Sequence, residues 1–296
     1  MRRFSSFGIA ILAMLMISIT SFFMGQTLLQ MGFASVLVIS QGLAACILIG
    51  IQGRPPSLTS KEWIYGGLVG LLQSSAFYLE ISGLMRIGPH QTAAIMASMI
   101  VIVVFLSLKR QFYEAQNFRL LAAASIAFFA LVFLAQPILP WSFDFGQILV
   151  FVAAISYAVF LFLNGHALKR LGLNPLSLAI ISLLTQTLLA TPAAFYFYHG
   201  ITFNLISFIE LLILAVFIAI TQFAFNKAQQ ALPVFSMALI LCLEPLVSAL
   251  YLLITQKSLP RFCIPAALLL LLAFMLAKPW RDYFDQEIVS LSERKF

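Results

Sequence analysis

The sequence predicts an all-α integral membrane protein with ten transmembrane helices, arranged as two inverted five-helix repeats. Three observations predict this fold class. Hydrophobic residues make up 62% of the chain and charged residues only 9%, a composition that a water-soluble domain cannot solvate. Ten apolar stretches each approach the length of about 20 residues that a helix needs to span a bilayer. One sequence offset places the first five stretches on the last five.

The first half of the chain contains five apolar stretches. No small-residue cleavage site follows the first of them, so we expect it to persist as a helix and not to be removed as a signal peptide. Three glycines in the third stretch, Gly66, Gly67 and Gly70, predict a close approach to a neighbouring helix. The five stretches are residues 7–25, 33–51, 63–85, 89–108 and 117–136.

The second half repeats this pattern at residues 146–168, 175–197, 207–226, 233–254 and 262–279. An offset of 144 residues, which places Pro89 on Pro233, brings all five pairs of stretches into register. Five helices is an odd number, so the second half enters the membrane with the opposite sense. Inverted repeats of this kind are typical of secondary transporters, whose substrate site lies between the repeats. We expect one repeat at 1–140, the second at 141–280, and a cytoplasmic tail at 281–296.

The basic residues predict the orientation, because Lys and Arg are retained on the cytoplasmic side during insertion. With the N-terminus inside, fourteen of the 17 basic residues fall on the inner side, and only Arg86, Lys257 and Arg261 fall outside. Both termini are therefore expected in the cytoplasm, with loops 137–144 and 198–206 outside. The same asymmetry accounts for the net charge of +7 without a nucleic-acid partner. We expect a multi-pass protein of the cell (inner) membrane.

The reactive residue types indicate neither an enzyme nor a cofactor. The three cysteines, Cys46, Cys242 and Cys263, all lie within apolar stretches, where buried and inert thiols are expected. The sequence contains no metal-ligand cluster, no nucleophile motif and no phosphate-binding Gly-Lys-Ser/Thr loop. We therefore expect no metal, no cofactor and no use of nucleotide hydrolysis.

Glu244 is the acidic residue placed nearest to the centre of a predicted span. A carboxylate there costs about 2.5–3.5 kcal/mol on insertion scales, so it should face the protein interior or water. Ser248 and Tyr251 follow at i+4 and i+7, on the same helix face. Pro245 cannot donate a backbone hydrogen bond and so leaves a carbonyl near Leu241 unpaired. Two interpretations stay open: proton coupling or capture of an amino group, and a structural clasp between helices.

Polar residues at helical spacing on the third and eighth stretches predict the lining of a cavity. We expect this cavity between helices three, four, eight and nine, with helix one or six. The alternative is that these residues are hydrogen-bonded links between helices. Glu80 lies nearer the outer end, where an interfacial role is also open. The candidates for substrate binding or coupling, besides Glu244, Ser248 and Tyr251, are Gln73, Phe77, Tyr78, Glu80, Gln222, Asn226, Gln91, Ser98, Tyr157 and Gln186.

The chain resembles the drug/metabolite transporter superfamily, specifically its ten-helix EamA-type permeases. The resemblance rests on length, helix count, the five-plus-five inversion and the motif Leu243-Glu244-Pro245. The first half carries Ile100-Val101 at the equivalent of Glu244-Pro245, where many relatives keep a proline. The resemblance implies secondary transport by alternating access but no particular substrate.

We therefore expect a secondary transporter of a small organic metabolite, an amino acid or an amine-like solute, acting mainly in efflux. The alternatives are an importer or exchanger of a larger metabolite such as a nucleotide derivative, and a membrane scaffold without transport activity. The expected partners are the small-molecule substrate, the lipid bilayer and protons as a candidate coupling ion, in a monomer or a homodimer.

Overall fold

The structure is a computed structural model that describes residues 2–31, 33–53, 59–107, 115–135, 144–196, 205–247 and 262–277. Every regular element in these ranges is a helix. The first half contains α1 (Arg2–Met31), α2 (Phe33–Gln52), α3 (Ser60–Met96), α4 (Ser98–Ser107) and α5 (Ala115–Ala135). The second half contains α6 (Phe145–Lys169), α7 (Pro175–Tyr196), α8 (Leu205–Ala231), α9 (Val234–Leu241) and α10 (Cys263–Ala277), with a further helical turn at 244–247.

Each of the ten apolar stretches is mainly helical where the structure describes it. Five helices are long and apolar enough to cross a membrane, namely Ala34–Gln52, Ser60–Gly88, Phe145–Lys169, Pro175–Phe195 and Leu205–Ala231. Five further apolar helical segments lie at Ser6–Thr20, Gln91–Ser107, Phe118–Leu134, Val234–Val247 and Cys263–Ala277. This architecture is that of a helical membrane protein.

Local sequence signals fix several helix ends. Thr59 and Glu62 form a capping box at the start of α3, in which the Glu62 amide donates to the Thr59 hydroxyl and the Thr59 amide donates to the Glu62 carboxylate. The Asp144 carboxylate accepts a hydrogen bond from the Gly146 amide at the start of α6, 2.6 Å away. Gly172, with φ of +64°, ends the turn after α6 in the left-handed region that glycine tolerates.

The fourth apolar stretch of each half follows a break in the chain direction. In the first half the break is a kink at Gly88, whose φ is +76°, so that α3 continues past it to Met96. In the second half it is the extended Pro233, which precedes α9. Each stretch is interrupted again, at Ala97 and at Cys242–Leu243. The sequence predicted the tight turns but not these second interruptions.

Close contacts at glycines bring α3 against α6 and α7. A Cβ on Gly66 would lie 2.7 Å from the Cβ of Ile181, and one on Gly70 would lie 2.6 Å from the Ser182 carbonyl oxygen. A Cβ on Gly83 would likewise come too close to Val150 and Gly146 of α6. The expected close approach is therefore confirmed at Gly66 and Gly70, whereas Gly67 has open space around it. The equivalent helix of the second half, α8, packs against α1 and α2 of the first half.

Buried positions recur between α3 and α8 at a spacing of 145 residues. Glu62, Gly66, Val69, Gly70 and Ser74 are buried on α3. Their counterparts 145 residues later on α8 are Ser207, Leu211, Leu214, Ala215 and Ala219, and all five are buried. The structural register of these helices thus differs by one residue from the offset of 144 that the prolines predict.

Candidate functional site

Two carboxyl groups that lie far apart in the sequence come together in the structure. Glu80 on α3 interacts electrostatically with Glu244, which directly follows α9, and Tyr157 on α6 interacts electrostatically with both. All three side chains are half-buried although they lie well inside apolar helices. We call these residues the Glu–Tyr cluster. Two carboxyl groups and a phenol in one region form a site that can hold a proton or an organic cation.

The interruption before Glu244 explains how that side chain is positioned. The Leu243 amide donates to the Ile240 carbonyl at 3.0 Å, a three-residue bond in place of the usual four-residue bond. Pro245 cannot donate to the Leu241 carbonyl because it has no N–H. The helix therefore tightens at Cys242–Leu243 and resumes at Glu244. Discontinuous helices of this kind often carry the substrate or ion sites of transporters.

A second polar group, which we call the glutamine layer, links four helices. Gln41 on α2 donates to Gln186 on α7 at 2.9 Å, and Gln186 donates to Gln73 on α3 at 3.0 Å. Gln73 and Gln222 on α8 exchange longer hydrogen bonds, of 3.4 and 3.3 Å. Ser182 accepts from Gln186 at 3.1 Å. Gln41 and Gln73 are half-buried, and the Gln41 side-chain oxygen has no hydrogen-bond partner among the described residues.

A third polar group, the asparagine layer, consists of Asn164, Asn226 and Gln229. The Asn164 amide nitrogen on α6 donates to the side-chain oxygens of Asn226 at 2.9 Å and Gln229 at 2.6 Å, both on α8. Asn226 donates in turn to the Pro175 carbonyl at 3.1 Å, and Gln229 donates to the Leu161 carbonyl at 2.6 Å. All three side chains are fully buried. This layer lies where α6 and α8 end and α7 begins.

Aromatic rings separate the asparagine layer from the Glu–Tyr cluster. Phe160 on α6 and Phe225 on α8 stack with their ring centroids 5.8 Å apart and their planes at 16°. Both rings are buried. Tyr157 makes an edge contact with Phe160, with ring centroids 6.5 Å apart. The path along α6 from Tyr157 to Asn164 is therefore closed by aromatic side chains.

The structure groups the predicted site residues unevenly. Glu80, Glu244 and Tyr157 form one cluster, Gln73, Gln186 and Gln222 belong to a second, and Asn226 belongs to a third. Phe77 and Tyr78 are half-buried on α3 near Glu80, and Gln91 and Ser98 are half-buried on the fourth apolar stretch. Ser248 and Tyr251 lie outside the described residues.

Sequence reasoning identified part of each polar group but not the contacts between its members. Gln41, Asn164 and Gln229 are not among the site residues that the sequence predicts. For Glu80, an interfacial role was also open. In the structure Arg86 is exposed, with its guanidinium 5.7 Å from the centroid of the Phe145 ring. One sequence signal was available, because Gln41 and Gln186 are 145 residues apart, the same spacing that relates α3 to α8.

The described residues contain no group of three or more His, Cys, Asp or Glu side chains that could hold a metal ion. The polar chemistry of these clusters is that of carboxylates, amides and hydroxyls. Such groups can bind an ammonium group or a hydrogen-bonding organic solute.

Comparison with known proteins bears on the fold alone. No protein-family model and no curated protein matches the chain. A solved crystal structure, described only as that of a protein, is similar to this chain with a TM-score of 0.73 over 93% of this chain and 98% of the other. The two sequences are 15% identical, so the similarity extends to the fold and to nothing finer.

Proposed function

We propose that this chain is a secondary transporter that moves a small organic metabolite, with an amino or amine-like group, across the membrane by alternating access. The observation that carries the proposal is the Glu–Tyr cluster, in which Glu80 and Glu244 from different halves meet beside Tyr157 inside an apolar helical protein. Ionisable residues within membrane helices are expensive and usually mark a substrate or proton pathway.

Helix contacts support the inverted repeat on which alternating access depends. Three pairs of equivalent helices touch one another, namely α2 with α7, α4 with α9, and α5 with α10. The contacts of α3 with α6 and α7 have counterparts in those of α8 with α1 and α2. A pseudo-two-fold axis in the membrane plane produces this pairing. The recurrence of buried positions between α3 and α8 supports the same relation.

The proposal includes ten spans and cytoplasmic termini in the cell membrane. The asymmetric distribution of basic residues supports this topology. Single cysteines introduced at Ser142 and Asn204, both outside the described residues, test it with an impermeant thiol reagent on whole cells. Labelling of intact cells is expected, whereas labelling only after the cells are opened would contradict the topology.

The chemistry of the clusters favours an amine-bearing solute. Two carboxylates attract a positive group, and the amides of the glutamine layer supply neutral donors and acceptors. No basic residue is among those that make up these clusters, which disfavours a polyanion as the substrate. The resemblance to EamA-type permeases agrees with a small metabolite, and we propose efflux as the main direction.

The test is transport in proteoliposomes, with the solute chosen by a thermal-shift screen of amino acids, amines, nucleosides and sugars, since a bound ligand stabilises the folded protein. Glu244→Gln and Glu80→Gln are expected to abolish uptake driven by a pH gradient. Glu244→Gln should keep counterflow exchange, because the amide mimics the protonated acid. Glu210→Gln, a carboxyl-to-amide change on α8 away from the cluster in sequence, is the matched control. Full gradient-driven uptake by both cluster variants would contradict the proposed role.

A further inference from the structure

The third helix of each half, α3 or α8, packs against helices of the opposite half, which gives two groups that each mix the two halves of the chain. Gly66 and Gly70 bring α3 against α7, and Gly83 brings it against Gly146 and Val150 of α6. We call α3, α6 and α7 the α3 group. The equivalent helix α8 packs against α1 and α2, and these three form the α8 group. The third helix of each half therefore packs on the opposite half, and the contact of α2 with α7 also joins the two groups, so a relative movement of the groups has to change that contact as well.

Both amide layers cross from one group to the other. In the glutamine layer, Gln41 and Gln222 belong to the α8 group, whereas Gln73 and Gln186 belong to the α3 group. In the asparagine layer, Asn164 on α6 belongs to the α3 group, and its two acceptors belong to the α8 group. The stacked Phe160 and Phe225 cross in the same way. A relative movement of the groups has to break these contacts.

The asparagine layer closes one end of the molecule. Its three side chains are fully buried, and the Phe160–Phe225 stack lies one turn deeper along α6. Tyr157 is seven residues from Asn164 on α6, about 10 Å along the helix axis. Along α6, these contacts therefore lie between the Glu–Tyr cluster and this end of the described helices.

At the opposite end, the described part of α3 does not repeat these amides. Residues 81–85 of α3 are equivalent to the part of α8 that carries Asn226 and Gln229, but they read Ile-Ser-Gly-Leu-Met and contain no amide. Ser82 and Met85 in this segment are exposed, Met85 to 84%. Residues 81–85 of α3 and the equivalent part of α8 therefore differ both in their side-chain amides and in the exposure of their side chains.

We propose that Asn164, Asn226 and Gln229, together with the Phe160–Phe225 stack, form a gate between the α3 and α8 groups that closes the predicted cytoplasmic end of the transport path. This inference rests on the proposed transport function and adds the contact that must open. The gate separates when the groups rock, and its buried amides then exchange their partners for water.

Accessibility measurements test the gate without requiring transport. In a background with Cys46, Cys242 and Cys263 replaced by alanine, Tyr157→Cys reports access to the Glu–Tyr cluster from each face of oriented vesicles. Asn174→Cys, in the α6–α7 connection, identifies the face on which the gate lies. Asn164→Ala removes two of the four hydrogen bonds that the asparagine layer makes between the groups. It is expected to raise the labelling rate at position 157 from the gate face about fivefold to tenfold.

Ser156→Ala is the matched control, because the Ser156 hydroxyl bonds only to the Val152 carbonyl of its own helix. It should leave labelling from the gate face unchanged. If Asn164→Ala does not fold, Gln229→Ala replaces it in the assay, because Gln229 also takes part in two of the four cross-group bonds, one from Asn164 and one to the Leu161 carbonyl. An unchanged labelling rate in the folded gate variant, or an equal rise in Ser156→Ala, overturns the proposal.

Crosslinking tests the same contact in the closed state. A short bifunctional, reducible thiol reagent joining Phe160→Cys to Phe225→Cys should abolish transport of the solute identified by thermal shift, and reductant should restore it. Undiminished transport by the crosslinked protein overturns the gate. If the unmodified protein transports no solute while Asn164→Ala still raises labelling, the transporter proposal fails and the movable contact stands.

Discussion

The glutamine and asparagine layers join the same two groups of helices but differ in geometry and burial. Hydrogen bonds in the asparagine layer span 2.6 to 3.1 Å between fully buried side chains. Those in the glutamine layer span 2.9 to 3.5 Å, and two of its members, Gln41 and Gln73, are only half-buried. Amides of nearly the same chemistry are thus held in two different environments.

This difference indicates two roles. A buried amide away from water must find its partners within the protein, because an unmade hydrogen bond there is costly. In the asparagine layer most polar atoms have partners, including the Pro175 and Leu161 carbonyls, so this layer can stay closed to water. Each layer contains one side-chain oxygen without a partner among the described residues, on Asn164 and on Gln41, and the glutamine layer differs in the long bonds between Gln73 and Gln222. Groups with such weak mutual bonds can exchange them for bonds to a solute.

The largest expected effect comes from separating α3 from α7, which should break the glutamine layer and spare the asparagine layer. In Gly70→Leu the new side chain would meet the Ser182 backbone, so we expect a loss of about 3 kcal/mol in the free energy of unfolding. Gly67→Leu is the control, since nothing lies within 4 Å of a Cβ there. Thermal unfolding in detergent compares the two. Equal stability would mean that α3 and α7 are not in close contact.

Removing the centre of the asparagine layer should have the next largest effect. Asn164→Ala leaves the side-chain oxygens of Asn226 and Gln229 without their shared donor, but it also removes the buried Asn164 oxygen, which has no partner among the described residues. Two acceptors that lose a donor outweigh one that is removed, so we expect a net loss of about 2 kcal/mol in the free energy of unfolding. The Ser156→Ala control on the same helix should cost less than about 0.5 kcal/mol. If Asn164→Ala lowers the free energy of unfolding by less than Gln73→Ala does in the same experiment, the glutamine layer and not the asparagine layer contributes more to stability.

Much of this fold follows from sequence, because its signals are local or periodic. Apolar length predicts each helix, and the Pro89–Pro233 spacing predicts how the fourth stretch of each half begins. The partners in the three polar clusters could not be predicted in the same way. Asn164 and Gln229 are 65 residues apart, and Glu80 and Glu244 lie on different helices in different halves. Their proximity depends on how the helices cross, which no local pattern encodes.

Substitution of Gln73 should affect transport more than stability. Its oxygen accepts from Gln186 and Gln222, and its amide donates to Gln222, but most of these bonds are long, so Gln73→Ala should cost only about 1 kcal/mol. If the glutamine layer exchanges its bonds with a solute, KM for that solute should rise at least severalfold while the maximal rate changes less. Transport kinetics in proteoliposomes measure this, with Thr187→Ala as a control because its hydroxyl bonds only to its own helix. An unchanged KM would assign Gln73 a purely structural role.

The smallest effect on stability is expected at Gln41. Gln41→Met removes one hydrogen bond to Gln186, which costs about 0.6 kcal/mol in membrane proteins, but it also removes a buried oxygen that has no partner among the described residues. The two contributions oppose each other, so the free energy of unfolding should change by less than about 0.5 kcal/mol. The matched change in the asparagine layer is Gln229→Met, which removes an amide with both groups paired and should cost more. Unfolding of the two variants side by side gives the comparison directly. A larger loss for Gln41→Met than for Gln229→Met would show that the glutamine layer, and not the asparagine layer, carries the stronger link between the helix groups.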